Sequence, residues 1–165
     1  IYKILKSSGT TGSIPSQIVL DKETAALQTL TLSKIISHIV GKDRLPMMIV
    51  DSKSVLKNRK TFTARGAGIL GLSIFGKKHL YLLDNDFELL KSELKEFSNK
   101  YNGQRILIFG FTFMVWQYLA SEDLDIDLDL SNAILIHSGG WKKLQSLEVD
   151  NLTFKKTLNN KFKIK

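Results

Sequence analysis

Length, composition and charge narrow the classes of protein to which this chain can belong. Its 165 residues suit one domain or a large part of one, and its 43% hydrophobic content is enough to bury a core. The absence of cysteine excludes a disulfide framework, a thiolate metal site and a thiol nucleophile within the chain. No apolar run approaches the roughly 18 residues of a membrane span. We expect a cytoplasmic protein.

The formal net charge of +8 is concentrated toward the carboxyl end of the chain. From residue 141 onward there are seven lysines and two acids. Such a basic face can dock phosphates or an acidic partner, but it is also typical of a solvated helix. No aromatic and basic stripe and no nucleic-acid motif accompanies it, so nucleic acid is not an expected partner.

Predicted strands and helices alternate along the chain. Strands are predicted at 2–6, 17–20, 46–51, 79–83, 105–109 and 133–137, and helices at 22–40, 86–101, 111–120 and 150–160. The apolar, glycine-rich stretch 65–75 is predicted as a tightly packed helix or a loop that leads into a helix. Helix 22–40 is indicated by Leu32, Ile35, Ile36 and Ile39, which recur at the spacing of one helix face.

This alternation implies parallel pairing with right-handed crossovers. The expected fold is therefore α/β, with a layered, mostly parallel sheet flanked by helices. Ligands of such sheets bind at the carboxyl ends of the strands. The two glycine-bearing loops, after Lys6 and after His137, are accordingly the expected sites.

The loop after Lys6 is the most informative stretch. It reads Ser7, Ser8, Gly9, Thr10, Thr11, Gly12 and Ser13, followed by Pro15. Glycines let a backbone approach a phosphate, successive N–H groups form an anion-binding concavity, and hydroxyls add donors. A flexible surface turn has the same composition, so composition alone leaves both interpretations open. The loop is neither a Walker A loop nor a dinucleotide fingerprint.

The order of these residues resembles a known phosphate-binding motif. Ser-Gly-Thr-Thr-Gly followed by proline is similar to the motif of the adenylate-forming superfamily, which includes acyl-CoA synthetases, adenylation domains and luciferases. That pattern usually has lysine after the proline, whereas this chain has Ser16. Residues 136–144, IHSGGWKKL, resemble the strand and double-glycine turn that line the adenine in that superfamily.

Two further motifs point to one branch of the superfamily. Arg65-Gly66-Ala67-Gly68 and Phe109-Gly110-Phe111-Thr112, together with residues 140–144, look most like the acyl-protein synthetases. These are the fatty-acid-activating components of bacterial luminescence-type fatty acid reductases.

The resemblance implies a two-step reaction and a set of site residues. ATP, with Mg²⁺, and a fatty acid give acyl-AMP and pyrophosphate, and the acyl group then passes to a cysteine of the enzyme or of an acceptor protein such as the reductase component. The ATP phosphates would be held by Ser7, Ser8, Gly9, Thr10, Thr11 and Gly12, and the adenine by Ser138, Gly139, Gly140 and Trp141. The acyl pocket would be walled by Phe111, Phe113 and Met114, for which ordinary core packing is the alternative.

Several parts of the superfamily's pattern are absent from residues 1–165. These are the Tyr-Gly-x-Thr-Glu-like segment with its magnesium glutamate, the ribose aspartate, the C-terminal subdomain with its lysine, and an acceptor cysteine. We therefore expect an internal fragment of the large N-terminal domain, which binds nucleotide and acyl group but is inactive alone. The alternative is a non-catalytic binding or assembly module of the same fold, docking a partner through its basic carboxyl-terminal face.

Three other chemistries are disfavoured by the sequence. Residues 122–130 alternate acid and apolar side chains, but they lack the glycine and closing glutamate of a calcium loop, which favours a half-buried extended segment. The three histidines have no metal-binding motif beside them, so no metal site is predicted. The nearest approach to a nucleophile elbow, residues 71–75, ends in phenylalanine, which argues against a hydrolase.

Overall fold

The computed structural model describes residues 3–6, 17–57, 63–120, 124, 128–141, 147 and 149–164. The strands are β1 (Lys3–Lys6), β2 (Gln17–Leu20), β3 (Leu45–Ser52), β4 (Gly76–Leu83), β5 (Ile106–Phe111) and β6 (Ala133–Ser138). The helices are α1 (Lys22–Val40), α2 (Ala64–Ser73), α3 (Lys91–Lys100), α4 (Thr112–Val115) and α5 (Asn151–Phe162). A 3₁₀ turn occupies Lys53–Leu56, and a π-helical turn, Trp116–Ala120, directly follows α4.

Four strands form one sheet in the order β4-β3-β5-β6, and every neighbouring pair in it is parallel. This confirms the predicted α/β fold. The chain passes from β3 to one side of the sheet and then returns across β3 to build the other side. The carboxyl ends of β3 and β5 therefore flank a topological switch point, the usual ligand crevice of open α/β sheets. Strands β1 and β2 pair with each other as an antiparallel hairpin.

Helices cover both faces of the four-stranded sheet. On one face, Met47 and Ile49 of β3 belong to the core that includes α1 and α2 side chains. On the other face, Met48 and Val50 belong to the core that includes α3, α4 and α5 side chains. All eight residues of β3 are buried, which explains its nearly continuous apolar run.

Three helices begin at residues whose side chains accept a backbone N–H. Asp21 accepts from Thr24 at 2.7 Å, Thr63 from Gly66 at 3.1 Å, and Asp150 from Thr153 at 2.6 Å. Each such cap is worth about 1 kcal/mol. The predicted beginning of α1 at Lys22 is confirmed, and α5 begins at Asn151, one residue after its predicted beginning.

The predicted beginning of α3 is wrong by five residues. The carboxylate of Asp84 accepts the N–H groups of Asp86 and Glu88, at 2.8 and 2.9 Å, and holds the segment in a turn. Phe87 has a positive φ of 63° in that turn. The apolar spacing of Phe87 and Leu90 resembled a helix, but the hydrogen bonds of the aspartate to the backbone prevail.

The pattern of apolar residues in α1 predicted the helix but not its buried stripe. Leu32, Ile35 and Ile39 are 36%, 54% and 49% exposed. Ile36 and Val40, one turn apart, are the buried members. Periodicity identifies a helix, whereas the width of the contact with the sheet decides which residues are covered.

The acid and apolar alternation of residues 122–130 is partly described. Leu124, Leu128 and Leu130 are buried, and Asp129 between two of them is exposed. The predicted half-burial is thus confirmed for these residues, although none of them lies in a strand. Among the described helices, none combines the length and the hydropathy that crossing a bilayer requires.

Candidate functional site

The carboxyl ends of three neighbouring strands lie side by side. Val50 of β3 is paired in register with Gly110 of β5, and Gly110 with His137 of β6. One residue further on, Phe111 is paired with Ser138. The fold therefore brings two predicted site segments, one after β5 and one after β6, together at the switch point.

The hydroxyl of Thr112 joins the ends of β5 and β6. Its Oγ1 lies 2.7 Å from the carbonyl oxygen of Gly139, 3.2 Å from that of Ser138, and 3.0 Å from Nδ1 of His137. Thr112 is 7% exposed, so this hydroxyl has little access to competing water. The contacts set the shape of the turn at Ser138–Gly140, which we call the double-glycine turn.

The ring of Phe111 fills the space between that turn and α2. A Cβ added to Gly139, whose φ is +80°, would lie 2.9 Å from Cδ1 of Phe111. A Cβ added to Gly68 would lie 3.4 Å from Cζ of the same ring. Glycines of α2 and of the double-glycine turn, Gly68 and Gly139, thus leave room for the side chain of Phe111.

Gly140 and Trp141, the next predicted adenine residues, have different surroundings. Among the described residues, no atom lies within 4 Å of a Cβ built on Gly140, so they leave this backbone open to an approaching molecule. Trp141 is half-buried, with its ring 5.6 Å from that of Trp116 and 5.9 Å from that of Phe154. The open backbone therefore lies beside a fixed aromatic cluster.

His137, near the end of β6, lies on the α5 side of that strand. Its ring centroid is 4.7 Å from that of Phe154. Partial desolvation and, secondarily, the Lys155 ammonium lower the pKa of His137 below its ordinary value of 6.5. The residue also lines a cavity of about 390 Å³ with Lys155, Lys156, Phe154 and Leu158.

A charged pair at the end of β3 was not predicted from the sequence. Nε of Arg65 lies 3.0 Å from Oδ2 of Asp51, whose side chain is 2% exposed. The guanidinium also lies 5.5 Å from the centroid of the Phe87 ring. Desolvation and then the Asp51 charge raise the pKa of Tyr81. Two sequence features could have indicated this pair. Asp51 lies near the end of an apolar strand, and Arg65 lies near the beginning of a glycine-rich helix.

Comparison with known proteins identifies the family. The family model described as acyl-protein synthetase, LuxE, matches residues 1–165. The chain belongs to this family. Membership confirms the predicted class, enzymes that attach acyl groups to proteins. No curated protein and no solved structure matches the chain at a significant level.

Within this acyl-protein synthetase family member, the structure brings some predicted site residues together. Phe111 and the double-glycine turn are in contact. Met114, predicted in the acyl pocket, is 3% exposed and belongs to the core under α4, whereas Phe113 is half-buried. The acyl pocket therefore stays a prediction.

The predicted phosphate loop lies outside the described residues. The residues concerned are Ser7, Ser8, Gly9, Thr10, Thr11 and Gly12. The strands that flank the loop are described, and they pair with Lys6 opposite Gln17. Among the described residues, no group of three histidine or acidic side chains is arranged to hold a metal ion.

Proposed function

We propose that this chain forms the nucleotide- and acyl-binding part of an enzyme that activates a fatty acid with ATP and transfers it to a protein thiol. The observation that carries the proposal is the backbone of Gly140 just after β6, which no described side chain covers, in a turn braced by Thr112 next to the switch point. A glycine without a covering side chain lets a planar base lie close to the main chain. The crevice at a switch point is where nucleotides bind in this fold class.

The proposed chemistry has two steps. A carboxylate oxygen of the fatty acid bonds to the α-phosphorus of ATP, the bond to the β-phosphate oxygen breaks, and pyrophosphate leaves. A thiolate of the acceptor protein then bonds to the acyl carbon, and AMP leaves. Both steps depend on positioning and charge neutralisation more than on covalent catalysis by the chain.

Each part of the chain has a role in this proposal. The double-glycine turn orients the adenine, with Trp141 as a fixed aromatic edge beside it. Residues 7–12 hold the β,γ-phosphates with backbone N–H groups and hydroxyls. Mg²⁺ accompanies the nucleotide and neutralises charge, and no described residue is assigned to it. The acyl chain is proposed to lie along Phe111 and Phe113.

A nucleotide-binding assay tests the proposal. ATP at about 100 times its Kd stabilises a folded protein by about 2.7 kcal/mol, which corresponds to a rise in Tm of about 5 °C or more for a chain of this size. Replacement of Gly140 by leucine should abolish the rise and leave the Tm without ATP unchanged, because no described atom lies within 4 Å of the added Cβ.

A second glycine provides the matched control. Gly103, in the turn after α3, also has no described atom within 4 Å of an added Cβ, and its φ is +73°. Gly103→Asn suits that conformation and should retain the full ATP effect. An undiminished ATP response in Gly140→Leu would contradict the placement of the nucleotide, and no response in the unmodified chain would contradict nucleotide binding itself.

A second candidate function rests on the surface of α5. Lys155 and Lys156 line the cavity whose other walls include the apolar Phe154 and Leu158. A partner presenting acidic and apolar side chains fits this surface, as an assembly module would require. Stabilisation by polyanions together with no stabilisation by ATP would favour this function over the first.

A further inference from the structure

The Thr112 hydroxyl has one proton but three close polar neighbours. Two of them, the carbonyl oxygens of Ser138 and Gly139, are acceptors only. The third, Nδ1 of His137, is a donor or an acceptor according to the tautomer of the ring. The positions of the two carbonyls therefore constrain the tautomer.

If Nδ1 of His137 had no proton, it could only accept a hydrogen bond. The Thr112 proton would then have to point to that nitrogen, leaving its oxygen 2.7 Å from the carbonyl oxygen of Gly139 with no hydrogen between them. Two facing acceptors at this distance repel each other. The arrangement is satisfied only when the hydroxyl donates to the carbonyl and accepts a proton from Nδ1 of His137.

We infer that Thr112 is a positioning residue that holds neutral His137 as the Nδ1–H tautomer and leaves Nε2 unprotonated. The same hydroxyl fixes the double-glycine turn. The unprotonated nitrogen belongs to a ring that lines the cavity between β6 and α5. It supplies a hydrogen-bond acceptor or proton acceptor beside the turn, in a wall to which Lys155 and Lys156 contribute positive charge.

The surroundings of His137 favour its neutral form, which is the form that has two tautomers. Among the described residues, the charged groups that line the cavity with His137 are Lys155 and Lys156. Partial desolvation, and then Lys155, lower the pKa of His137. The ring is therefore neutral at neutral pH, and a neutral ring has only one N–H.

Nitrogen-15 spectroscopy of the histidine rings in the unmodified chain tests the inference directly. An unprotonated ring nitrogen resonates far downfield of a protonated one. We expect His137 to show a protonated Nδ1 and an unprotonated Nε2 above its pKa, with its signals assigned by loss in His137→Gln. A predominantly Nε2–H ring would overturn the inference.

His79 provides an internal control with the opposite expectation. Its Nε2 lies 3.0 Å from the carbonyl oxygen of Ser73, which can only accept. Neutral His79 must therefore place its proton on Nε2 to make this bond. Two histidines of opposite tautomer in one spectrum would show that the measurement discriminates.

Two substitutions then separate the hydroxyl from the shape of the side chain. Thr112→Val removes the hydroxyl and keeps the volume, so we expect the Nε2–H tautomer of His137 to gain population. Thr112→Ser keeps the hydroxyl and should retain the Nδ1–H tautomer. An unchanged tautomer in the valine variant would also overturn the inference.

The consequence for the nucleotide rests on the proposed function. Loss of the Thr112 hydrogen bonds should weaken ATP binding about tenfold in Thr112→Val and no more than about twofold in Thr112→Ser. An equal affinity in both variants would overturn the role of the hydroxyl in positioning the turn. If the unmodified chain binds no ATP, the proposed function fails, while the ring spectra still decide the tautomer.

Discussion

At the carboxyl edge of the sheet, the end of β3 differs from the ends of β5 and β6. At the end of β3, a carboxylate and a guanidinium pair at 3.0 Å, and the carboxylate is almost fully removed from water. At the ends of β5 and β6, a neutral hydroxyl braces a turn whose last glycine is open on its exposed side. The end of β3 is thus held by a buried ion pair, whereas the ends of β5 and β6 are held by neutral hydrogen bonds.

This difference is one between a strand end that stabilises the structure and strand ends that leave groups accessible for recognition. A buried ion pair contributes little net stability by comparison with apolar packing, but its disruption is costly because one charge is left without its partner. A neutral turn held by a single hydroxyl has little such cost and leaves backbone groups accessible. We infer that the β3 end maintains the architecture of the edge, whereas the β5 and β6 ends are suited to contact a ligand.

The largest expected effect comes from removing the cation at the β3 end. Arg65→Met removes the guanidinium from beside the buried Asp51 carboxylate, and we expect a loss of about 3–5 kcal/mol in the free energy of unfolding. Urea denaturation monitored by circular dichroism measures it. Asp51→Leu combined with Arg65→Met should recover most of the loss, since no charge then remains buried.

An exposed ion pair serves as the control for that measurement. Nζ of Lys163 lies 3.0 Å from Oδ2 of Asp129, but the two side chains are 66% and 47% exposed. Lys163→Met should therefore change the stability much less than Arg65→Met. Similar losses in the two variants would show that burial does not distinguish the β3 end.

Within the double-glycine turn, we expect the two glycines to differ in how well they tolerate a side chain. Gly139→Ala forces a side chain into a left-handed conformation and against Phe111, so we expect a loss of about 1–3 kcal/mol. Gly140→Ala has open space and should be nearly neutral. Thermal denaturation of both variants measures the difference, and equal stabilities would contradict the packing of Phe111 on Gly139.

The smallest effect is a dependence of stability on pH. The folded pKa of His137 is lowered, so the unfolded chain binds a proton more readily than the folded chain does. The contribution of His137 to stability is therefore full above its ordinary value of 6.5 and declines as the pH falls toward the folded pKa. His137→Asn should flatten this part of the Tm profile, and a profile unchanged by that substitution would argue against a lowered pKa.

Local signals account for the parts of the fold that the sequence predicted well. The strands and helices were predicted because the apolar spacing that indicates them repeats over a few residues, as at Leu32, Ile35, Ile36 and Ile39 of α1. The beginning of α3 was missed because the Asp84 carboxylate competes for backbone N–H groups that the apolar pattern does not register. The double-glycine turn was found by the order of its residues rather than by any contact.

The amino-acid sequence by itself determined the α/β class, the alternation of strands and helices, and the motifs by which the family is recognised. Each of these is encoded in residues that lie close together in the chain. The tertiary structure alone decided that the strands are ordered β4-β3-β5-β6, that Asp51 meets Arg65, and that Thr112 braces the turn after β6. Those contacts join residues far apart in the chain. Their formation depends on packing both faces of one sheet, which no local pattern specifies.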